Sequence, residues 1–282
     1  MQPRCSYIIY GTPRSGSTLL CEALTNTSLA GRPGEPFEGL KETGRPRRPL
    51  EYFTGVEDAE LVALLGGSDG PPPAHSAYDD YAEYLARIIE RSTTPNGVFG
   101  TKIMWGYLDD FVSNLRTIPT YSTLPVPQLF ASIFPNLHHI TVTRRDKVRQ
   151  AVSLWKAIQT QAWSLEDHEH PGEEVHHRPL TFHFGAIDHL KRQLEEHDAA
   201  WHRYFAQNNI QPLTVVYEDF VHKYEETALQ ILRYLDIPIP EKPLFAARRM
   251  KQQSNALSEQ WIQRYYEQQR GTREEHRQEI NR

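Results

Sequence analysis

The chain has 282 residues and a formal net charge of −5, with 39% hydrophobic, 24% charged and 11% aromatic residues. That composition excludes disordered, collagen-like and disulfide-scaffold proteins, and no apolar stretch approaches the roughly 18 residues of a membrane span. The acidic balance argues against a nucleic-acid partner, but a local cluster of arginines still suits one small anionic ligand.

The start, MQPRCSYIIYGTPRSGS, has too short an apolar run for a signal peptide. Two cysteines, Cys5 and Cys21, cannot make a disulfide framework, so both read as reduced and the protein as cytoplasmic. Thirteen histidines prompt a search for metal ligands. The cluster His168, Glu169, His170, His176 and His177 lacks helical HExxH spacing and a nearby cysteine, so 166–177 reads as a solvated insertion loop and no metal is expected.

In chain order, Ser6–Tyr10 is a short apolar run that reads as a buried strand, and Gly11–Gly16 is a loop. Leu20, Ala23 and Leu24 recur at helical spacing, which predicts a helix from Ser17 to near Asn26. Two glycines and two prolines between Gly31 and Pro36 exclude regular structure there. Glu57–Leu65 reads as a short helix, Gly66–Pro73 as a connector, and Ala77–Arg91 as an amphipathic helix burying Tyr81, Tyr84, Leu85 and Ile88.

Val98–Met104 and Leu137–Thr143 are the second and third strands. Asp146 then caps a helix carrying Val148, Val152, Trp155 and Ile158. Phe182–Asn208 is a long helix, Leu213–Tyr217 a fourth strand, and Thr227–Leu235 a helix that stops before Pro238 and Pro240. From Ser258 the chain is polar and helix-prone, anchored by Trp261 and Tyr265. Strands alternating with helices predict an α/β fold, a central parallel sheet flanked by helices. At ~150 residues per domain the length allows two domains, but one large α/β domain fits as well. The connector is too short and too early to mark a boundary, so residues 1–282 read as a single P-loop-like domain.

The sharpest motif is Gly11-Thr12-Pro13-Arg14-Ser15-Gly16-Ser17-Thr18 between strand and helix. It keeps both glycines and the final hydroxyl of GxxxxGK[ST], so its backbone N–H groups and the helix N-terminus suit an anion. Ser17 stands where the nucleotide-binding lysine belongs, and Arg14 carries the positive charge instead. A phosphotransferase would lack a main stabiliser of its transferred group. A second anion site is expected after the third strand, where Arg145 and Ser153, eight residues on, can share one phosphate.

With these two sites the chain resembles the sulfotransferases that use 3′-phosphoadenosine 5′-phosphosulfate (PAPS), specifically the Stf0-type trehalose sulfotransferase family. The match is carried by residues 12–20, Gly34-Glu35-Pro36-Phe37, residues 95–105, Arg145 through Thr160, and Glu259 to Tyr265. The resemblance implies a sulfotransferase fold in which Arg14, Ser15, Gly16, Ser17 and Thr18 hold the 5′-phosphosulfate. Arg145 and Ser153 would hold the 3′-phosphate, while Tyr217 and Gln253 would lie on the adenine side. It points to Glu35 as general base toward a sugar or glycolipid hydroxyl, with the bisphosphate PAP as product and a homodimer as the assembly. Arg14 and Lys102 would meet charge on the leaving phosphate without a metal. Two alternatives stand beside this reading, a P-loop kinase-like phosphotransferase and a non-catalytic protein that binds a 3′-phosphonucleotide.

Overall fold

The computed structural model describes residues 2–38, 49–66, 80–161, 163, 179–241, 245–246 and 255–280. Four strands, β1 (Cys5–Gly11), β2 (Val98–Met104), β3 (Leu137–Thr143) and β4 (Leu213–Val216), form one sheet in the order β2-β1-β3-β4. Every pairing is parallel, with Ile9 opposite both Lys102 and Ile140. β1 and β2 are buried along their whole lengths, which is why both read as nearly unbroken apolar runs rather than alternating ones.

Among the described residues, the helices before β3 are α1 (Ser17–Asn26), α2 (Ala59–Leu65), α3 (Tyr81–Ser92), α4 (Leu108–Arg116) and α5 (Val126–Ile133). After it come α6 (Lys147–Thr160), α7 (Phe184–Gln207), α8 (Tyr217–Phe220), α9 (Tyr224–Tyr234) and α10 (Ala256–Ile280). The protein is therefore α/β with helices flanking a parallel sheet. The sequence reading places β2 and β3 to the residue and predicts no element between them, yet α4 and α5 stand there. The signal for α4 is present: Leu108, Phe111, Val112 and Leu115 repeat at helical spacing and are all buried. The fourth strand ends one residue earlier than expected, because Tyr217 opens α8.

The chain divides into two compact units: Met1–Pro46, Pro71–Arg145 and Glu196–Arg249, and separately Arg47–Gly70, Asp146–Glu195 and Met250–Arg282. The second unit is helical. Asp146 caps α6 as predicted, its carboxylate accepting from the Arg149 N–H at 2.8 Å, and Arg149 also pairs with Glu259 of α10. Trp155 is completely buried there, edge-on to Phe53, and its indole N–H donates to the Thr181 carbonyl at 2.8 Å. Trp155 is thus a core residue. His183 serves the fold too: its Nδ1 accepts from the Ala186 N–H at 3.0 Å at the start of α7.

The first unit contains the sheet. Two side chains from residues 196–207 of α7 hold its carboxyl ends. The indole N–H of Trp201 donates to the Gly11 carbonyl at 2.9 Å, and the Asp198 carboxylate accepts from the Thr12 hydroxyl at 3.1 Å and the Thr143 hydroxyl at 2.9 Å. One carboxylate therefore ties together the exits of β1 and β3. Hydrogen bonds to a charged group contribute ~1.5–3 kcal/mol each, and this carboxylate is half-exposed. We expect Asp198→Ala to lower unfolding free energy in urea by about 2–3 kcal/mol and Asp198→Asn by less than half of that. An unchanged midpoint for Asp198→Ala would show that the carboxylate does not hold the strand ends.

Candidate active site at the carboxyl ends of the strands

β1 and β3 are neighbours whose chains leave the sheet toward different strands, so residues following them lie at the switch point where ligands of open parallel sheets bind. The loop 12–16 occupies that place. Gly16 has φ 90° at the start of α1, and an added Cβ there would lie 2.3 Å from the Tyr217 ring. Arg14 also adopts a left-handed backbone, φ 62°, unusual for a residue with a side chain. Ser15 is fully buried, and its hydroxyl has no hydrogen-bond partner among the described residues. An unpaired buried hydroxyl inside a loop of this form fits a bound anion that would accept from it.

A lysine reaches the helix behind the loop from the neighbouring strand. Lys102 of β2 places its ammonium 3.1 Å from the Thr18 hydroxyl of α1 and 2.8 Å from a Glu35 carboxylate oxygen. Its side chain is 5% exposed and that of Glu35 is 11% exposed, so this is a buried pair. Burial pulls the Lys102 ammonium toward its neutral form, but its neighbours together outweigh it, Glu35 foremost and with Cys21 and Glu38 contributing, and the pKa ends above the ordinary value. The Tyr107 hydroxyl lies 3.3 Å from the other Glu35 oxygen and 3.1 Å from the Lys102 carbonyl. Burial, and next the Glu35 charge, push that phenol well above its usual range, so it remains a hydrogen-bond donor.

Glu35 is held in place by backbone as well. The segment before it is irregular, as its glycines and prolines require, but it runs along the edge of β2. Gly31, at φ 70°, donates to the Thr94 hydroxyl at 3.1 Å, the Arg32 N–H to the Ser92 carbonyl at 2.8 Å, and the Lys102 N–H to the Gly34 carbonyl at 2.7 Å. A Cβ on Gly31 would lie 2.9 Å from the Gly100 nitrogen, so only glycine permits this approach. Beyond Glu35, the Pro36 carbonyl accepts from the Tyr84 hydroxyl, and Phe37 is buried against Phe111 with ring centroids 4.5 Å apart.

The two arginines after β3 part company. Arg144 is 8% exposed, donates to the Arg14 carbonyl at 3.3 Å and lies over the Tyr217 ring, 4.5 Å from its centroid. Arg145 is turned outward and forks onto Asp219 with contacts of 2.9 and 2.5 Å, while its own N–H donates to Glu218 at 3.1 Å. Hydrogen bonding to Asp219 favours the charged form of Arg145 and keeps the Asp219 carboxyl below its ordinary value. Ser153 lies half-buried on α6 in the second unit. Gln253 falls outside the described residues, as does the 166–177 segment.

The structure thus brings Arg14, Ser15, Gly16, Ser17, Thr18, Lys102, Glu35 and Tyr217 into one unit at the strand ends. Sequence reasoning assigned no role to Arg144, Tyr107, Asp198 or Asp219. Asp219 and Tyr107 carried signals that could have been followed, a carboxylate in Val216-Tyr217-Glu218-Asp219 and a tyrosine three residues past Met104. The described residues hold no group of three or more His, Cys, Asp or Glu placed to bind a metal ion.

A P-loop-like turn beside a buried acid and lysine, but without the motif's own lysine, sets this chain apart from the ordinary P-loop ATPases. The chain belongs to the Stf0 sulphotransferase family, whose sequence model matches residues 6–268. It is 32% identical to trehalose 2-sulfotransferase of Mycobacterium tuberculosis over 260 residues, 92% of this chain and 93% of that one. It is also 32% identical to trehalose 2-sulfotransferase of Mycolicibacterium smegmatis over 268 residues, 92% of this chain and 94% of the relative. A solved sulfotransferase domain from the curacin biosynthetic pathway aligns over 92% of this chain and 83% of its own, with 14% identity and a TM-score of 0.46.

The glycine at 16 meets two independent demands, a left-handed backbone and the Tyr217 ring against its Cα. Gly16→Ala should therefore cost about 1–3 kcal/mol of stability and displace the Tyr217 ring. Thermal unfolding and tyrosine fluorescence report the two effects. Wild-type stability in the alanine variant would mean that the loop relaxes without cost.

Proposed function

We propose that this sulfotransferase moves the sulfuryl group of PAPS to a hydroxyl of trehalose or a related sugar or glycolipid. The observation that carries this reading is the buried chain Glu35–Lys102–Thr18, which links a carboxylate directly to the helix behind the anion loop. Family membership and the two trehalose sulfotransferase relatives support the sugar acceptor. With them come a homodimer and a cytoplasmic location, the latter in keeping with two buried free cysteines.

PAPS supplies an activated sulfuryl group whose leaving phosphate is already stable as an anion. The residues then divide the work. Glu35 takes the proton of the attacking hydroxyl as the oxygen–sulfur bond forms and the bond from sulfur to the phosphate oxygen breaks. Arg14, the loop N–H groups and Lys102 stabilise the charge that collects on the departing phosphate, giving PAP without a metal. Ser15, Gly16, Ser17 and Thr18 cradle the 5′ end. Arg145 takes the 3′-phosphate; its fork, which rests on Asp219, has the bidentate geometry a phosphate accepts. Tyr217 flanks the adenine.

Ligand preference tests the donor. At about 100 times its Kd, a ligand that binds only the native state adds ~2.7 kcal/mol, so adenosine 3′,5′-bisphosphate in EDTA should raise the melting temperature clearly. Mg·ATP should do little. The reverse order would favour a P-loop phosphotransferase.

Glu35→Gln tests the base. The amide oxygen still accepts from Lys102, but the group takes no proton. Turnover of labelled PAPS on sugar acceptors should fall by roughly 10²–10⁴ with nucleotide affinity nearly unchanged. Wild-type activity should rise with pH as the Glu35 carboxyl loses its proton, and that limb should vanish in the variant. Glu38→Gln is the control and should keep both rate and limb. Near-normal turnover in Glu35→Gln would place the proton elsewhere.

A further inference from the structure

Of the two arginines that follow β3, the buried one has no role in the reading above, and its contacts converge on the loop. The Arg144 guanidinium donates to the carbonyl of Arg14 and covers the Tyr217 ring. That ring in turn packs on Gly16, so closely that any Cβ there would clash with it. The three contacts therefore bear on the two left-handed residues of the loop, Arg14 at φ 62° and Gly16 at φ 90°. A left-handed backbone is strained at a residue with a side chain, so the loop needs an outside restraint to stay in this shape. A planar guanidinium meets both geometrical demands together, stacking on a ring through its face and donating through its edge; an ammonium cannot do both.

We propose that Arg144 is the positioning residue of the anion loop: it clamps Tyr217 onto Gly16 and fixes the Arg14 carbonyl, and through them sets the affinity for the 5′ end of the donor. The proposal rests on the reading of the loop as the seat of the donor's 5′-phosphosulfate. It divides the tandem arginines, Arg144 acting inward through the loop and Arg145 outward toward the 3′-phosphate. The buried positive charge of Arg144 adds to the field that the anion meets, but its shape is what holds the loop.

The test compares two ligands by calorimetry on the full chain. Adenosine 3′,5′-bisphosphate uses the loop, and adenosine 3′-phosphate lacks the group that enters it. Arg144→Met should weaken the bisphosphate about tenfold while leaving adenosine 3′-phosphate within about twofold. Arg144→Lys, which keeps the charge without the planar fork, should still lose about threefold for the bisphosphate alone. Equal losses for both ligands would show general damage to the fold and overturn the proposal, as would unchanged affinities in both variants. If Arg144→Met does not fold, the same comparison in Arg144→Lys decides. A wild-type protein that binds neither ligand would instead overturn the donor reading, and the proposal with it. Wild-type binding with an unaffected Arg144→Lys and Arg144→Met would sink the proposal alone.

Discussion

A charged ammonium taken out of water must be paired, and Lys102 is such a group. It sits on an edge strand that is buried along its length, with its side chain 5% exposed. Leaving one member of a buried pair alone costs about 3–5 kcal/mol, so the fold is constrained to bring a counter-ion to it. That counter-ion is Glu35, delivered by an irregular segment whose backbone is bonded to β2 at Gly34. A second hydrogen of the ammonium goes to Thr18. The arrangement that satisfies the electrostatics of the sheet edge is also the one that joins an acid, through Lys102, to the helix after the loop 12–16.

The same economy of contacts governs the other side of the switch point. β1 and β3 deliver Thr12 and Thr143 to one carboxylate, Asp198, and Trp201 takes the last carbonyl of β1. Chain segments distant in sequence are thus fastened at the level where the loop begins. The loop itself is a strained piece of backbone, with left-handed residues at 14 and 16. Strained segments persist where their surroundings over-determine them, and here the surroundings are the Tyr217 ring and the strand exits.

Much of this was legible in the sequence. The strands Val98–Met104 and Leu137–Thr143, the helix Ser17–Asn26 and the Asp146 cap are read from apolar runs, helical spacing and a capping residue, all of them local signals. The loop 12–16 was legible because its glycines stand at fixed offsets between a strand and a helix. The burial of Glu35 was not legible, since a glutamate in a segment rich in glycine and proline ordinarily faces solvent, and resemblance alone singled the residue out. Its burial depends on a salt bridge 67 residues away in sequence and on Phe37 being drawn into the core.

Local signals were enough for the class of fold, for the strand–loop–helix around residues 11–18 and for the serine at 17 where the motif has lysine, because periodicity and glycine spacing act over a few residues. Three-dimensional packing was needed to place the Lys102 ammonium between Thr18 and Glu35. It also decided that Tyr107 stands beside Glu35 and that Arg144 turns inward while Arg145 pairs with Asp219 at the surface. Successive residues leaving a strand point to opposite sides, so two adjacent arginines are equivalent in composition and opposite in placement. Their assignment depends on what packs above and below the strand end, and those partners, Tyr217 and Asp219, lie more than 70 residues further along the chain.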